Sequence, residues 1–253
     1  MPPRDWDAAT YERLSAPIEA MGRDVLARLE LEGTETVLDA GCGTGRVTAA
    51  LVQRLPRGRV IAVDGSPAMV EAARRRLPAS VDVREADLLE LALAEAVDAI
   101  VSTATFHWIG DHDRLFTRLR DALVPGGRLV AQCGGAGNVA AIKQAGLELA
   151  RDAPFAEHLA GWPGDWHFAT PADTEARLRR LGFADVWCWS TRVDVDVDEP
   201  AGYLGAICLG SFLERLPDVL HAPFVLAAVA RLGTPLTIHY VRLNILARRA
   251  PGA

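Results

Sequence analysis

The chain has 253 residues, half of them apolar, enough to bury a full core as one domain with at most a small cap. Its 27 basic and 33 acidic residues leave a charge of −6 with no basic run long enough to track a phosphate backbone, so nucleic acid is not the expected partner. No apolar signal core follows Met-Pro-Pro-Arg, no stretch approaches the roughly 18 apolar residues of a membrane span, and cysteines 42, 133, 188 and 208 have neither zinc nor disulfide spacing. The expectation is a cytoplasmic protein with no membrane and no structural metal. The only lysine is Lys143, so lysine chemistry has one candidate.

A helical lead-in comes first: Ile18, Met21, Val25 and Leu29 share a face. Residues 36–47, Thr-Val-Leu-Asp-Ala-Gly-Cys-Gly-Thr-Gly-Arg-Val, then read as a strand, a glycine turn and the start of a helix over 46–55. Glycines 41, 43 and 45 let the backbone bend and approach a ligand closely. The dinucleotide fingerprint puts its third glycine three positions after the second, and position 46 here is arginine. Asp39 also opposes a pyrophosphate: one like-charge contact at about 6 Å and an effective dielectric of about 20 costs roughly 3 kcal/mol. The loop suits a cationic ligand.

A second strand, 59–64, ends in Asp64, placed to accept both hydroxyls of a ribose. Ser66 and Pro67 open the next helix as cap and first residue, with Met69 on its first turn. Residues 81–86 alternate like a strand and lead to Asp87, which can cap the short helix after it. The fourth strand, 97–103, delivers Ala104-Thr-Phe-His-Trp-Ile109 to the carboxyl end of the sheet. There His107 is the catalytic candidate, an imidazole able to remove a proton near neutral pH, and a pocket-shaping role is its rival.

From Asp111 a helix is expected with Leu115, Leu119 and Leu123 on one face, stopped by Pro125-Gly-Gly127, then strand 128–133 and a flexible glycine-rich mouth at 134–138. Helix 139–151, an irregular stretch over 152–170 and helix 171–180 follow, the last secured by Thr170-Pro-Ala-Asp173. The sixth strand covers 184–193. The alternating Val193-Asp-Val-Asp-Val-Asp198 puts three acids on one face without calcium-loop spacing and reads as a solvated strand edge. Helical segment 199–233 precedes the last strand, 236–246.

The 37–45 motif, continued through Asp64, Asp87 and Phe106-His-Trp108, resembles class I S-adenosylmethionine-dependent methyltransferases. Trp6-Asp-Ala-Ala-Thr-Tyr11, Ser66-Pro-Ala-Met69 and Tyr240-Val-Arg-Leu-Asn-Ile-Leu-Ala-Arg-Arg249 look like the trans-aconitate methyltransferase branch. The resemblance implies an α/β fold: a Rossmann-like seven-stranded sheet with helices on both faces and a helical cap. It implies a single domain with a lead-in over 1–30, a core over 31–135, 171–193 and 234–249, and cap insertions at 136–170 and 199–233. It implies S-adenosylmethionine as cofactor, held by Tyr11, Asp39, Gly41, Cys42, Gly43, Gly45, Asp64, Gly65, Met69, Ala86, Asp87, Leu88, Thr103, Ala104, His107 and Trp108.

The acceptor would be a small molecule, touched by Trp166, Tyr203 and Arg242, with Arg215, His221 and His239 as further candidates. A carboxylate or hydroxyl oxygen is the expected methyl acceptor. The alternatives are nitrogen or carbon methylation, a non-catalytic scaffold that binds the cofactor, and a nicotinamide oxidoreductase, which the glycine spacing and Asp39 oppose.

Overall fold

The computed structural model describes residue 13 and residues 16–252. Trp6 and Tyr11, expected over the cofactor, lie outside the described residues. Helix α1 (Ala16–Ala27) buries Met21, Val25 and Leu26, with Leu29 just beyond its end, as the lead-in's apolar spacing requires. Seven strands follow: β1 (Thr36–Ala40), β2 (Arg59–Asp64), β3 (Asp82–Glu85), β4 (Val97–Thr103), β5 (Leu123–Gly134), β6 (Phe183–Val197) and β7 (Leu236–Arg249). They form one sheet in the order β3-β2-β1-β4-β5-β7-β6, parallel except for β7, which runs antiparallel to both neighbours.

Central strands β1, β2 and β4 are near-continuous apolar runs because both sheet faces are covered. One face packs around Leu38, Ile100, Phe106 and Leu129 with α4 (His112–Ala122) and α7 (Pro171–Arg180). The other packs around Val37, Val60 and Val101 with α1, α2 (Arg46–Gln53) and α3 (Pro67–Arg76). A third cluster joins α5 (Ala140–Leu149), α6 (Ala156–Leu159), α8 (Pro200–Tyr203), α9 (Gly210–Leu213) and α10 (Asp218–Leu232) around Phe212 and Phe224, which stand 5.2 Å apart.

Several boundaries differ from the sequence expectation, each for a local reason. Leu123 is not the last face residue of α4: the helix ends at Ala122 and Leu123 opens β5, pairing with Val97. The mouth at 134–138 is tied down rather than loose. Gly134 pairs with Arg242, and Asn138 Oδ1 accepts the Val241 N–H at 3.0 Å. Strand β6 runs on to Val197 because β7 pairs with it throughout, Asp194 meeting His239 at 2.8 Å and Asp196 meeting Thr237 at 2.6 Å. The His239 side chain is exposed there and does not line the cavity described below.

The chain leaves β1 toward β2 and β3 on one side and toward β4 and β5 on the other. That reversal lies between β1 and β4, where a doubly wound sheet opens its ligand crevice at the strand carboxyl ends. The loops after β1 and β4 are the two the sequence marks out.

Candidate functional site

Above the β1 and β4 carboxyl ends lies a cavity of about 960 Å³. Its floor begins with Gly41 and Gly43, at φ 85° and 54°, and the loop closes behind it at Gly45, at φ 80°. A Cβ on Gly41 would fall 2.1 Å from Thr105 Oγ1, so the loops after β1 and β4 approach through a missing side chain. A Cβ on Gly43 would meet no atom within 4 Å and would stand in the cavity that Gly43 lines.

At the end of β2, Asp64 accepts the N–H groups of Gly43 at 2.8 Å and Ser66 at 2.9 Å, binding the glycine loop to the start of α3. Ser66 caps that helix by accepting the Met69 N–H at 3.3 Å, which sets Met69 against the cavity. Behind the loop Asp39 is 1% exposed: its Oδ2 accepts the Thr48 hydroxyl at 2.7 Å, while Oδ1 has no partner among the described residues. Burial pushes the Asp39 pKa up to about 7 against the Thr48 bond, and the Asp64 charge adds to the rise. Burial also raises Asp64, opposed by its backbone N–H bonds.

Asp87 caps the turn that follows it and faces the cavity as well. Its Oδ1 accepts the Leu89 N–H at 2.9 Å, capping the 3₁₀ turn Leu88–Glu90, and the residue also lines the cavity with Ala86 and Leu88. The opposite wall comes from the loop after β4. Ala104 stands at φ 56°, a strained position for a residue with a Cβ, and its N–H donates to Gln132 O at 2.7 Å.

His107, on the turn Phe106–Trp108, is 6% exposed. Its Nδ1 accepts the Gly134 N–H at 3.2 Å, which fixes the remaining proton on Nε2. Burial holds its pKa well below the ordinary value, and the charge of Arg242 pushes the same way. The expected general base is therefore a neutral ring with its acceptor nitrogen already filled; it can donate a hydrogen bond but is not poised to take a proton. The turn is held from behind, its Phe106 carbonyl accepting His112 Nε2–H at 2.9 Å and its His107 carbonyl accepting the His167 N–H at 2.9 Å.

The cap end of the cavity combines aromatic rings with one deeply buried cation. Arg242, on β7 opposite Gly134, is 2% exposed and lines the cavity. Its Nε donates to Gln132 Oε1 at 3.3 Å, and Gln132 is oriented by donating Nε2–H to Asn244 Oδ1 at 2.8 Å. Two residues earlier on the same strand face, Tyr240 also lines the cavity, its hydroxyl 2.8 Å from that of Tyr203. Tyr203 itself is buried behind the wall, so it reaches the cavity through Tyr240. Trp166 lines the cavity 6.4 Å from Trp108 and 6.3 Å from Phe168, ring centre to ring centre. Arg215 lies 4.7 Å over the Trp162 ring and 3.8 Å from Asp165.

Most of the expected site residues converge here: Gly41, Gly43, Asp64, Gly65, Met69, Ala86, Asp87, Leu88, Thr103, Ala104, His107, Trp108, Trp166 and Arg242 all line one cavity. Asp39, Cys42 and Gly45 stand behind its wall. His221 is turned away, its Nε2 bonded to Leu216 O at 3.0 Å. Thr105, Ser211 and Glu214 line the cavity without any sequence signal, whereas Tyr240 is legible as the strand neighbour of Arg242 in a period-two pattern.

Comparison with known proteins supplies the family. A methyltransferase domain is matched over residues 37–127, the span holding the glycine loop, Asp64, Asp87 and His107. The trans-aconitate 2-methyltransferase of Acidovorax sp. (strain JS42) is 31% identical over 98% of this chain and 99% of its own length. That of Methylobacterium nodulans is 31% identical over 97% of this chain and 98% of its own. The chain belongs to the S-adenosylmethionine-dependent methyltransferases.

Among solved structures, a phosphoethanolamine N-methyltransferase from Haemonchus contortus, in complex with phosphomonomethylethanolamine and S-adenosylhomocysteine, aligns with this methyltransferase at TM-score 0.63 and 18% identity. It covers 96% of this chain and 57% of the other, and the likeness is one of fold. The YcgJ protein of Bacillus subtilis aligns at TM-score 0.61 and 16% identity, covering 93% and 98%.

The residues present fit the family's cofactor. The open space over Gly43 is a cradle that a Cβ would fill, Asp39 Oδ1 is an orphaned buried acceptor behind it, and Asp64 and Asp87 give this end of the cavity a negative wall for a cationic ligand. Among the described residues no helix is long and apolar enough to cross a membrane.

Proposed function

We propose that this methyltransferase forms methyl esters, transferring the methyl group to a carboxylate oxygen of a small-molecule acceptor. When bound, S-adenosylmethionine supplies an electrophilic methyl on a cationic sulfur. Asp64 accepts the ribose hydroxyls, Met69, Asp87 and Leu88 flank the adenine, and the glycine loop backed by Asp39 takes the methionine end.

The observation that carries the acceptor assignment is the pairing of buried Arg242 with a His107 held as a neutral donor. A hydroxyl or protonated amine must lose a proton on methylation, and His107, the residue expected for that task, is held against it. A carboxylate is ionised at neutral pH and needs no base. Arg242 neutralises and orients it, and Gln132 fixes the guanidinium plane. The remaining work is alignment and exclusion of water, which supplies roughly 7 to 11 kcal/mol of barrier reduction, against a factor of about 10² to 10⁴ for a general base. The full-length relatives named trans-aconitate 2-methyltransferase support a carboxylic acid substrate.

The test is the stability of the product. Methyl-labelled S-adenosylmethionine incubated with small carboxylic acids should give a labelled product that hydroxide hydrolyses to methanol. Arg242→Gln should lower kcat/KM by at least about tenfold by removing the anion's partner. A label retained through hydroxide treatment, as in an ether or amine, contradicts ester formation.

A further inference from the structure

The acceptor end has a composition that narrows the substrate further, an inference that rests on the carboxylate reading above. Four rings in mutual contact form a belt that lines it. His107 lies 4.9 Å from Trp108 and 5.8 Å from Phe168, Trp108 lies 6.4 Å from Trp166, and Trp166 is stacked on Phe168 at 6.3 Å with planes 17° apart.

The belt is built into the fold. A Cβ on Gly164 would stand 2.8 Å from the Trp166 ring, and a Cβ on Gly134 would stand 2.7 Å from the Phe168 ring, so both rings occupy space that glycine leaves open. Phe212, fully buried, sits edge-on to Trp162 at 5.0 Å and 5.5 Å from Trp166, backing the belt from the cap.

Charge at this end is balanced. Among the described residues lining the cavity, the cations are Arg215 and Arg242, and the acids on the cap side are Asp165 and Glu214. Arg215 already shares its charge with Asp165 and lies over Trp162. Arg242 is the buried cation at the aromatic belt, 5.9 Å over the Tyr240 ring, while the half-buried Lys143 lies 5.7 Å over Trp166 and 6.0 Å over Phe168 without lining the cavity. A substrate with several carboxylates would set the extra charges against the negative faces of the rings and against Asp165 and Glu214, with no further buried arginine lining the cavity among the described residues. A cationic substrate would be repelled by Arg242.

We propose that the acceptor is a monocarboxylate on a flat, apolar body, its single charge at Arg242 and its body against the His107-Trp108-Trp166-Phe168 belt. In this respect the site departs from what the names of its relatives suggest.

The experiment compares three probes on the protein loaded with S-adenosylhomocysteine, by calorimetric titration: trans-cinnamate, trans-aconitate and the neutral cinnamyl alcohol. Trans-cinnamate should bind at least about tenfold more tightly than trans-aconitate. Trp166→Leu should erase most of that preference by weakening trans-cinnamate alone, with cofactor affinity unchanged as the control for folding. Equal or tighter binding of trans-aconitate, or no binding of trans-cinnamate, overturns the inference and leaves ester formation standing. If the alcohol binds as well as the acid, the carboxylate reading itself fails.

Discussion

Asp39 is a buried acid beside the glycine loop whose protonation links stability to pH. Its carboxyl is buried with one oxygen unpartnered, and its pKa rises from 3.8 to about 7. Between those values the folded protein keeps a proton that the unfolded chain has lost. Stability from this group is therefore full below pH 3.8 and is lost as pH rises through about 7. His112 acts in the opposite sense: burial lowers it from 6.5 to about 4, so its contribution is lost as pH falls through that window. A substitution at Asp39 leaves the histidine contribution in both proteins and isolates the carboxyl. Asp39→Asn, measured without ligand, should gain about 2 kcal/mol of stability relative to the parent between pH 5 and pH 8, read as a growing difference in Tm. A difference in Tm that stays constant over that range would show that Asp39 is ionised throughout.

Elements bring a different test, because the loops after β1 and β4 meet closely only where Gly41 has no side chain. Gly41→Ala adds a Cβ 2.1 Å from Thr105 Oγ1 at φ 85°, and Thr105 is itself bonded to Gly41 O at 3.2 Å and Thr103 O at 3.0 Å. It should cost more than about 2 kcal/mol in chemical denaturation. Gly43→Ala at φ 54° meets nothing, so it should cost only about 1 kcal/mol of left-handed strain yet weaken cofactor binding, because the methyl group enters the cavity. Equal losses of stability in the two variants would contradict this division. Much at this scale was legible in the sequence. The 36–47 motif, the capped helix at Thr170 and the acid ending β2 each follow from local chemistry, and the period of the apolar residues placed nearly every strand. What was not legible depends on pairing partners. The filled Nδ1 of His107 comes from Gly134 on another strand, the depth of Arg242 from its place between β5 and β6, and Ser211 and Glu214 reach the cavity only through the packing of the cap. The π turn Leu204–Cys208, closed by Leu209 N–H on Leu204 O at 2.7 Å, turns Ile207 and Cys208 toward the cavity, and periodicity does not reveal such a one-residue insertion.

At the scale of the whole molecule, the proposed cofactor end rests on the sheet, whose two faces have their own apolar clusters, and the proposed acceptor end is shared by β7, the loop after β4 and the cap, which packs around a third cluster. Damage to one should not reach the other in proportion. Phe212→Ala, at the centre of the cap, should cost about 3 to 5 kcal/mol of stability. In the protein that remains folded it should weaken acceptor binding, while cofactor affinity stays within about twofold. Parallel loss of both affinities would mean that the cap and sheet act as one cooperative site.

Ester formation at this site requires methyl transfer to an anion already formed, with His107 donating rather than accepting. The measurement that bears on this directly is the single-turnover rate of methyl transfer as a function of pH, in the parent and in His107→Asn. Above the pKa of the acceptor's own acid the parent rate should be flat through neutrality, and His107→Asn should lower it without changing the shape of the profile. A parent rate that falls about tenfold per pH unit below pH 6.5, with that dependence removed by His107→Asn, would make His107 the base and contradict the assignment of a carboxylate acceptor.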